Sequence, residues 1–373
     1  MTTLMLTEDE TMLRDAARGF LESAAPVKNL RDNRDAGRPF DPGLWKEMAQ
    51  MGWAGVLVPE DAGGSDMGHR AAGILAEDMG LTLAASPFIS SAVMAATALR
   101  GAASDRLSGI ADGSLLYALA VDEGAKHAPA GTAMAAQKSG NGFKLTGRKV
   151  FVADGSSANR VLVLARTSGA PGDADGLTLF DIDADRAGLS RIAKSTVDSR
   201  DHAQLDFDSV DATGDDVVGD VDGGMAAVAT ALNAGQAALS AELTGLSAGA
   251  FAMTAGYLKE RKQFDKIIGT FQALQHRAAH MWSEIEVTAS AIANAGRVLD
   301  ETPAESDMAV SIAKARATKT AKLVVSEGVQ MHGGIGMTDE FDMGFFMKRA
   351  RVGAEWLGDY GYHAARVARA RGF

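Results

Sequence analysis

The most informative stretch of the chain runs from Tyr257 to His276 and reads Y-L-K-E-R-K-Q-F-D-K-I-I-G-T-F-Q-A-L-Q-H. An apolar helix is predicted to end here, and a second helix is predicted to begin after a basic turn. A guanidinium suits phosphate oxygens, an amide can donate and accept hydrogen bonds, and a phenyl ring can lie against a planar ligand. The stretch therefore predicts a site for a large cofactor that carries rings and phosphate. A solvated helix end with two buried phenylalanines is the alternative. The residues concerned are Arg261, Lys262, Gln263, Phe264, Lys266, Phe271, Gln272 and Gln275.

Length and composition favour an ordinary globular protein of two or three domains, with 373 residues and 46% hydrophobic content. The net charge of −11 argues against a nucleic-acid-binding protein. The absence of cysteine excludes disulfides, thiolate catalysis and cysteine-ligated metals. The sequence shows neither a basic leader nor an apolar run of membrane-spanning length, so we expect a cytoplasmic protein without a membrane span.

Helical patterns fill the first part of the chain. Thr7-x-x-Glu10 is typical of a capping box, and Asp41-Pro42 is typical of the start of another helix. Val56–Glu60 is predicted to be a short extended passage. Further helices are predicted around His69–Met79 and Ile89–Leu99.

Short strands are predicted in the middle of the chain, separated by Gly, Asp and Ser. Asn141-Gly142 is predicted to be a hairpin turn. The spacing indicates an antiparallel barrel or sandwich. The predicted strands are Leu115–Val121, Phe143–Leu145, Val150–Val152, Val161–Ala165, Leu177–Ile182 and Gln204–Phe207.

Two series of apolar or small residues at helical spacing mark the last part of the chain. They predict a compact four-helix bundle. The first series is Leu232, Leu239, Leu243, Leu246, Ala250, Met253 and Tyr257, and the second is Val310, Ala313, Ala317, Ala321, Val324 and Gly328.

The predicted fold class is therefore mostly α with a central β domain. We expect an N-terminal helical domain over residues 1–114, a middle β domain over 115–218, and a C-terminal helical bundle over 219–373.

Other motifs give weak signals. The chain has neither a dinucleotide-binding G-x-G-x-x-G nor a phosphate-binding P-loop. Gly245–Gly249 matches G-x-S-x-G by letters, but it lies inside a helical pattern rather than at a strand-to-helix elbow. His276 and His280 lie one helical turn apart without the Glu of H-E-x-x-H, so we predict no metal site.

A second informative stretch follows in the last part of the chain, G-V-Q-M-H-G-G-I-G-M-T from Gly328 to Thr338. Paired glycines at a helix end allow positive φ and let a ligand touch the backbone. A glycine-rich helix stop is common, so this stretch gains weight from its pairing with Tyr257–His276.

Together these residues resemble the acyl-CoA dehydrogenase family. Y-L-K-E-R-K-Q-F, F-Q-A-L-Q-H and G-V-Q-M-H-G-G-I-G-M-T are similar to its C-terminal motifs. L-W-K-E-M-A-Q-M-G-W-A-G-V-L-V-P-E-D-A-G-G resembles its N-terminal signature, and N-G-F-K-L-T-G-R-K-V-F-V-A-D-G-S resembles its middle-domain hairpin. The resemblance implies the same three-domain fold, with FAD bound between the β domain and the bundle.

By this resemblance, Arg261 faces the pyrophosphate of an FAD that a neighbouring subunit holds. Gln263 and Phe264 lie beside it, and Gln272 falls on a further cofactor position. A homo- or hetero-oligomer, dimer or tetramer, is therefore implied.

The resemblance also gives the other contacts of the cofactor. Gln330, Gly333 and Gly334 match the turn that approaches the adenosine half. Phe151 replaces the usual Trp beside the flavin, and Ala153 replaces a Thr near N5. Phe keeps an aromatic wall, and a backbone N–H can serve N5 whatever the side chain.

The family reaction removes the α proton of an acyl-CoA with a carboxylate while the β hydride passes to flavin N5. The electrons are then expected to leave to an electron-transfer flavoprotein. The two positions where the family places its base are occupied here by Leu357 and Gly235.

Three acids lie near those positions, and a salt-bridged or capping role is the favoured interpretation for each. Glu355 and Asp359 are two residues from Leu357, and Glu355 is the candidate base if one exists in this chain. Glu242 lies about 10 Å from the Gly235 position along a helix.

Three hypotheses follow. The chain is a working acyl-CoA dehydrogenase with a displaced base, the base-less subunit of a heteromeric dehydrogenase, or an FAD-binding family member without dehydrogenase turnover. No residue reveals which acyl group is used.

Overall fold

The computed structural model describes residues 6–102 and 105–373, which divide into two compact units. The first unit takes residues up to Arg38, His69–Ala85 and Gln236–Phe373, and the second takes Pro39–Gly68 and Ser86–Gly235. The predicted boundaries 1–114, 115–218 and 219–373 stay a prediction.

The first unit is helical. The predicted capping box is confirmed at its first helix, because Thr7 Oγ1 accepts from the Glu10 N–H at 3.2 Å and the Thr7 N–H donates to Glu10 Oε2 at 2.9 Å. Its N-terminal helices are α1 (Glu8–Ala24), α2 (Val27–Asp35) and α4 (Gly68–Thr82). Its C-terminal helices are the larger part of α7 (Gly224–Glu260), then α8 (Gln272–Glu301), α9 (Ser306–His332), α10 (Met343–Glu355) and α11 (Tyr360–Ala370).

Glycines allow α4 and α7 to cross at backbone contact. A Cβ at Gly245 would lie 1.7 Å from the Glu77 carbonyl oxygen, and a Cβ at Gly80 would lie 2.1 Å from that of Glu242. A Cβ at Gly249 would lie 2.5 Å from the Leu81 carbonyl oxygen. The G-x-S-x-G letters therefore mark a helix–helix contact.

The predicted helical series of α9 is confirmed, since Val310, Ala313, Ala317, Ala321 and Val324 are all buried. Small residues at this spacing let α8, α10 and α11 pack closely on α9. One charged residue, Lys314, is enclosed beside this series.

The second unit combines short helices with a sheet. Asp41 caps α3 (Pro42–Gln50) as predicted, with its carboxylate accepting from the Gly43 N–H at 2.8 Å. The expectation of an extended passage at Val56–Glu60 is wrong, because short 3₁₀ turns at Trp53–Gly55 and Glu60–Ala62 flank a bend. A π-helical segment, Phe88–Ala95, runs into α5 (Ala96–Arg100), and α6 is Leu107–Ala111.

The central sheet is mixed rather than wholly antiparallel. Seven strands follow the order β6-β7-β3-β2-β4-β5-β8, and the eighth, β1, pairs with β4 in parallel. Phe143–Leu145 and Val150–Val152 belong to one long strand, and the hairpin turn is Gly140-Asn141 because Ser139 pairs with Gly142. Sequence patterning missed β2, β6 and β8, which are short or half-exposed. The strands are β1 (Tyr117–Ala120), β2 (Ala135–Ser139), β3 (Gly142–Ala153), β4 (Arg160–Arg166), β5 (Leu177–Asp183), β6 (Leu189–Ala193), β7 (His202–Ala212) and β8 (Val217–Val218).

Candidate functional site

The stretch after α7 is a small hairpin. β9 (Lys262–Gln263) pairs with β10 (Lys266–Ile267), and the turn residues Phe264 and Asp265 have φ of 53° and 62°. Two successive positive φ angles define the turn that fits the twist of a two-residue hairpin. Phe264 is 86% exposed, so the alternative of two buried phenylalanines is wrong.

The hairpin carries cations that lack carboxylate partners. Arg261, Lys262 and Lys266 are exposed and form no ion pair with any residue in 6–102 or 105–373. Uncompensated cations at a surface favour an anionic ligand, and a guanidinium binds phosphate oxygens in a fork. The Phe264 ring lies edge-on to Phe271 with centroids 6.4 Å apart. The cations and the aromatic ring predicted to contact a cofactor therefore lie at the surface.

The Gly333–Gly334 turn ends α9. Gly333 has φ 65° and ψ −141°, a conformation open essentially only to glycine. Neither Gly333 nor Gly334 has a described atom within 4 Å of the place a Cβ would take. Gln330 is exposed one turn earlier. A ligand can thus approach the backbone here.

Aromatic contacts join this turn to the end of α7. The buried His332 ring lies 4.5 Å from the Tyr257 ring and 4.7 Å from the Phe341 ring. His332 Nδ1 lies 2.7 Å from the Gly328 carbonyl oxygen, and burial lowers the pKa of His332. Arg261 follows Tyr257 by one helical turn, and its N–H donates to the Tyr257 carbonyl at 2.9 Å. The structure therefore brings the two sequence motifs together within the first unit.

Phe151 and Ala153 lie at the end of β3 in the second unit. The register against β7 shifts between Lys149 and Val152, and Phe151 has φ 53° within that bulge. Its ring stacks on His202, with centroids 4.4 Å apart and an interplanar angle of 24°. Burial lowers the pKa of His202 to about 4, so this imidazole is neutral at physiological pH. Phe151 is 37% exposed, with its ring stacked on a neutral imidazole.

The acids near the two base positions have cationic partners. Glu355 ends α10, is half-exposed, and lies 3.1 Å from Arg351. The buried Glu242 lies 3.3 Å from Arg349. Leu357 follows α10 and is 4% exposed, with φ 58°. The assignment of Glu355 as a base stays a prediction.

Sequence reasoning missed the side chains that hold the loop at Leu357. The Leu357 carbonyl accepts from Gln236 Nε2 at 3.1 Å and lies 3.0 Å from His363 Nε2. Lys314 Nζ donates to the Gly358 carbonyl at 3.1 Å. A lysine within a helical series of small residues was the one available signal for this cluster.

The serine of G-x-S-x-G is not a nucleophile in this fold. Ser247 is fully buried within α7, and its hydroxyl donates to the Leu243 carbonyl at 2.7 Å. A nucleophile elbow requires an exposed serine between a strand and a helix.

Comparison with known proteins identifies the class. Residues 7–109 match the family described as "Acyl-CoA dehydrogenase, N-terminal domain", and residues 222–371 match "Acyl-CoA dehydrogenase, C-terminal domain". The chain belongs to the acyl-CoA dehydrogenase family, whose members are FAD flavoproteins and oxidoreductases acting on CH–CH bonds.

The relatives span most of the chain. A variant of the "Tcur3481-Tcur3483 steroid ACAD" is a solved structure 30% identical to this chain, with TM-score 0.87 and 98% coverage of both chains. A 3-(aryl)acrylate reductase of Clostridium sporogenes is 25% identical over 95% of this chain and 96% of its own. Acyl-CoA dehydrogenase FadE12 of Mycobacterium tuberculosis is 29% identical over 83% of this chain and 82% of its own.

The helices carry no membrane-spanning segment: within residues 6–102 and 105–373, none is long and apolar enough to cross a bilayer.

Proposed function

We propose that this chain binds FAD and serves the α,β-desaturation of an acyl-CoA thioester as the base-less component of a hetero-oligomeric acyl-CoA dehydrogenase. The observation that carries the proposal is the pairing of a preserved cofactor surface with Leu357 and Gly235 at both base positions.

The residues present fit FAD. Arg261 is an exposed cation without an ion-pair partner among the described residues, which suits a pyrophosphate. The open Gly333–Gly334 backbone suits close approach by a sugar or adenine ring. Half-exposed Phe151 offers an aromatic face to a flavin ring.

When bound, FAD would accept the hydride that leaves the β carbon of the acyl group. The chain's own residues then bind and orient. Arg261 with Gln263 would hold the pyrophosphate of the FAD in a neighbouring subunit, and Gln272 would contact the cofactor at a further position. Gln330 with the glycine turn would hold the adenosine half. The bulge at Phe151 fixes a ring that would exclude water from one side of the flavin. The backbone at Ala153 would lie near N5.

Proton abstraction needs a carboxylate, and we propose that a partner chain supplies it. Leu357 cannot take a proton, and Gly235 has no side chain. The 30% identical relative has a name that pairs two components, which supports a two-chain assembly. By the family resemblance Arg261 reaches into a neighbouring subunit, so this chain would complete the pyrophosphate site of the partner that carries the base.

A self-sufficient enzyme with Glu355 as base is the second candidate. The observation in its favour is that Glu355 lies close to the loop at Leu357. Its charge acts to raise the pKa of Lys314, and Lys314 donates a hydrogen bond to that loop. The ion pair of Glu355 with Arg351 opposes this role, because the pairing holds the carboxylate against a guanidinium on the same helix.

Electron-transfer flavoprotein is the proposed acceptor of the electrons, as the family resemblance implies. The acyl group stays open, and the relatives' names suggest steroid and aryl acyl-CoAs as test compounds beside straight-chain ones.

The test is an anaerobic titration of the purified chain, alone and co-expressed with a family member that has Glu at a base position. We expect acyl-CoA to bleach the visible flavin absorbance only in the co-expressed complex. Bleaching of the chain alone by any compound would overturn the base-less assignment. A colourless preparation both with and without the partner would overturn FAD binding itself.

A further inference from the structure

The loop Trp356–Asp359 between α10 and α11 has an unusual backbone. Leu357 has φ 58° and Gly358 has φ 101°, and Leu357 is buried. A non-glycine residue at positive φ is strained and persists only where its surroundings over-determine the conformation. The contacts around Leu357 therefore hold the loop in this conformation.

Buried side chains fix the loop through its carbonyl oxygens. Gln236 and His363 contact the Leu357 carbonyl at 3.1 and 3.0 Å, and Lys314 donates to the Gly358 carbonyl at 3.1 Å. In a planar trans peptide the N–H points opposite to the carbonyl. The N–H of Gly358 therefore faces away from Gln236 and His363, and the direction of this peptide depends on those contacts.

Lys314 contacts both the last turn of α10 and the loop that follows it. Its fully buried ammonium donates to the Gly353 carbonyl at 2.9 Å, in the last turn of α10, as well as to the Gly358 carbonyl. The third contact is Thr318 Oγ1 at 3.3 Å. The three N–H donors of the ammonium thus meet three acceptors. One acceptor is the Gly353 carbonyl, which the end of α10 leaves without a partner inside the helix.

We propose that Lys314 is a positioning residue, whose ammonium ties the end of α10 to the Gly358 carbonyl and so sets the direction of residue 357. The proposal rests on the proposed function, because the family resemblance places the acyl-CoA opposite residue 357. Lys314 itself does not contact substrate in this assignment.

The protonation of Lys314 makes the tie sensitive to pH. Burial lowers the pKa of Lys314 to about 7, while the charges of Glu355 and Asp359 act in the opposite direction. Exposure of Lys314 to water would return its pKa toward 10.5, so opening of the loop takes up a proton and becomes less favourable as the pH rises above 7.

Other charged groups around this lysine are few. His363 on α11 contacts the same loop, Glu355 is paired with Arg351, and Asp359 caps α11. Glu242 on α7 is paired with Arg349 of α10. Residues 289–296 of α8 carry no titratable side chain. The loop is therefore expected to open less readily as the pH rises through about 7, chiefly through Lys314.

The test is hydrogen–deuterium exchange of the full chain, followed by mass spectrometry of peptides that cover residues 353–364. It needs neither FAD nor substrate, so it reports on Lys314 even if the proposed function fails. The variants are Lys314→Met, which has no donors, and Lys314→Gln, which keeps two donors without a charge.

At pH 6 we expect Lys314→Met to exchange this segment about tenfold faster than the wild type, with Lys314→Gln between them. After correction for intrinsic rates, protection of the wild type should rise between pH 6 and 8, because opening takes up a proton, and both variants should lose that dependence. Equal protection in wild type and Lys314→Met, or a pH profile shared by all three, would overturn the proposal. If Lys314→Met does not fold, the pH profiles of wild type and Lys314→Gln decide it.

Discussion

Lys149 shows how strongly one enclosed charge is tied to its surroundings. It is fully buried in the second unit, and its ammonium donates to Glu123 Oε1 at 2.8 Å and to the Val121 carbonyl at 3.0 Å. Thr132 Oγ1 is its third contact, at 3.3 Å. Burial lowers the pKa of Lys149 to about 8, and Glu123 opposes that shift.

This pKa predicts the pH dependence of stability. The ordinary lysine pKa is 10.5, so between pH 8 and 10.5 the unfolded chain binds more protons than the folded chain. The free energy of unfolding therefore gains a contribution from Lys149 as the pH rises through this window and loses it as the pH falls to 8. In urea unfolding, the free energy of unfolding of the wild type minus that of Lys149→Met should increase by about 2 kcal/mol between pH 8 and 10.5.

Lys149→Met serves as the reference because every other titrating group is common to both proteins. We also expect it to destabilise the fold by about 1–2 kcal/mol at pH 7, since the Val121 carbonyl loses its lysine donor and Glu123 its ion-pair partner. A difference that does not change with pH would contradict the lowered pKa.

Leu357→Glu should install the missing base at the flavin that this chain holds. The loop conformation is fixed through carbonyl oxygens, which this substitution leaves in place. We expect the purified variant, without a partner, to bleach its flavin anaerobically at least about 100-fold faster than the wild type with a suitable acyl-CoA. Stopped-flow absorbance measures the rate.

Leu357→Gln is the matched control, because it has the same length and no basicity. Equal rates in the Glu and Gln variants, with FAD bound in both, would show that residue 357 does not face the α carbon.

At the scale of elements, the α4–α7 crossing depends on glycine. Gly245→Ala would place a Cβ 1.7 Å from the Glu77 carbonyl oxygen, a backbone atom that cannot rotate away. We expect it to destabilise the protein by about 3 kcal/mol or more in urea unfolding, because the helices must move apart.

Gly256→Ala is the control on the same helix, since no described atom lies within 4 Å of its Cβ position. We expect it to stabilise by about 0.5–1 kcal/mol through helix propensity. Equal destabilisation by both substitutions would mean that helix propensity, and not the crossing, sets the effect.

Elements with strong periodicity or a capping signal were predictable from the sequence. The capping box at Thr7, the cap at Asp41 and the buried series of α9 all follow from local rules. β6 is half-exposed and β8 has two residues, so their patterns carry little information. Val56–Glu60 looked extended because its apolar run suits a strand, whereas turns enclose it.

The candidate site was predictable only in part for a related reason. Arg261 and the Gly333–Gly334 turn are adjacent to recognisable motifs, and the structure brings them together through Tyr257 and His332. His202 and Lys314 act through contacts between residues far apart in sequence. Local patterns cannot show such contacts.

At the scale of the whole molecule, the base-less assignment separates two groups of site residues. By the family resemblance, Phe151 lies beside the flavin that this chain holds, whereas Arg261 reaches the flavin of a neighbour. If the partner carries the base, turnover takes place at the partner's flavin. This chain then contributes to turnover through Arg261, beside the β9–β10 hairpin, and not through Phe151.

Arg261→Gln and Phe151→Asp test this division in the co-expressed complex. Arg261→Gln removes a cation without an ion-pair partner among the described residues, so the fold should tolerate it. Phe151→Asp suits φ 53°, because Asp tolerates the left-handed region better than most residues, and it places a charge against this chain's own flavin. We expect Arg261→Gln to lower acyl-CoA turnover at least about tenfold, since charge-assisted hydrogen bonds to the pyrophosphate are lost.

Phe151→Asp should leave turnover within about twofold of the wild-type complex while halving the bound FAD, because in a complex with equal numbers of both chains only this chain's flavin is displaced. Turnover with an artificial electron acceptor and FAD released on denaturation measure the two quantities. In a self-sufficient enzyme both substitutions would abolish turnover, because each active site would then need the wall of one copy and the hairpin of the next. Loss of turnover in Phe151→Asp alone would place the reaction at this chain's flavin and require a base within it, with Glu355 the first residue to replace.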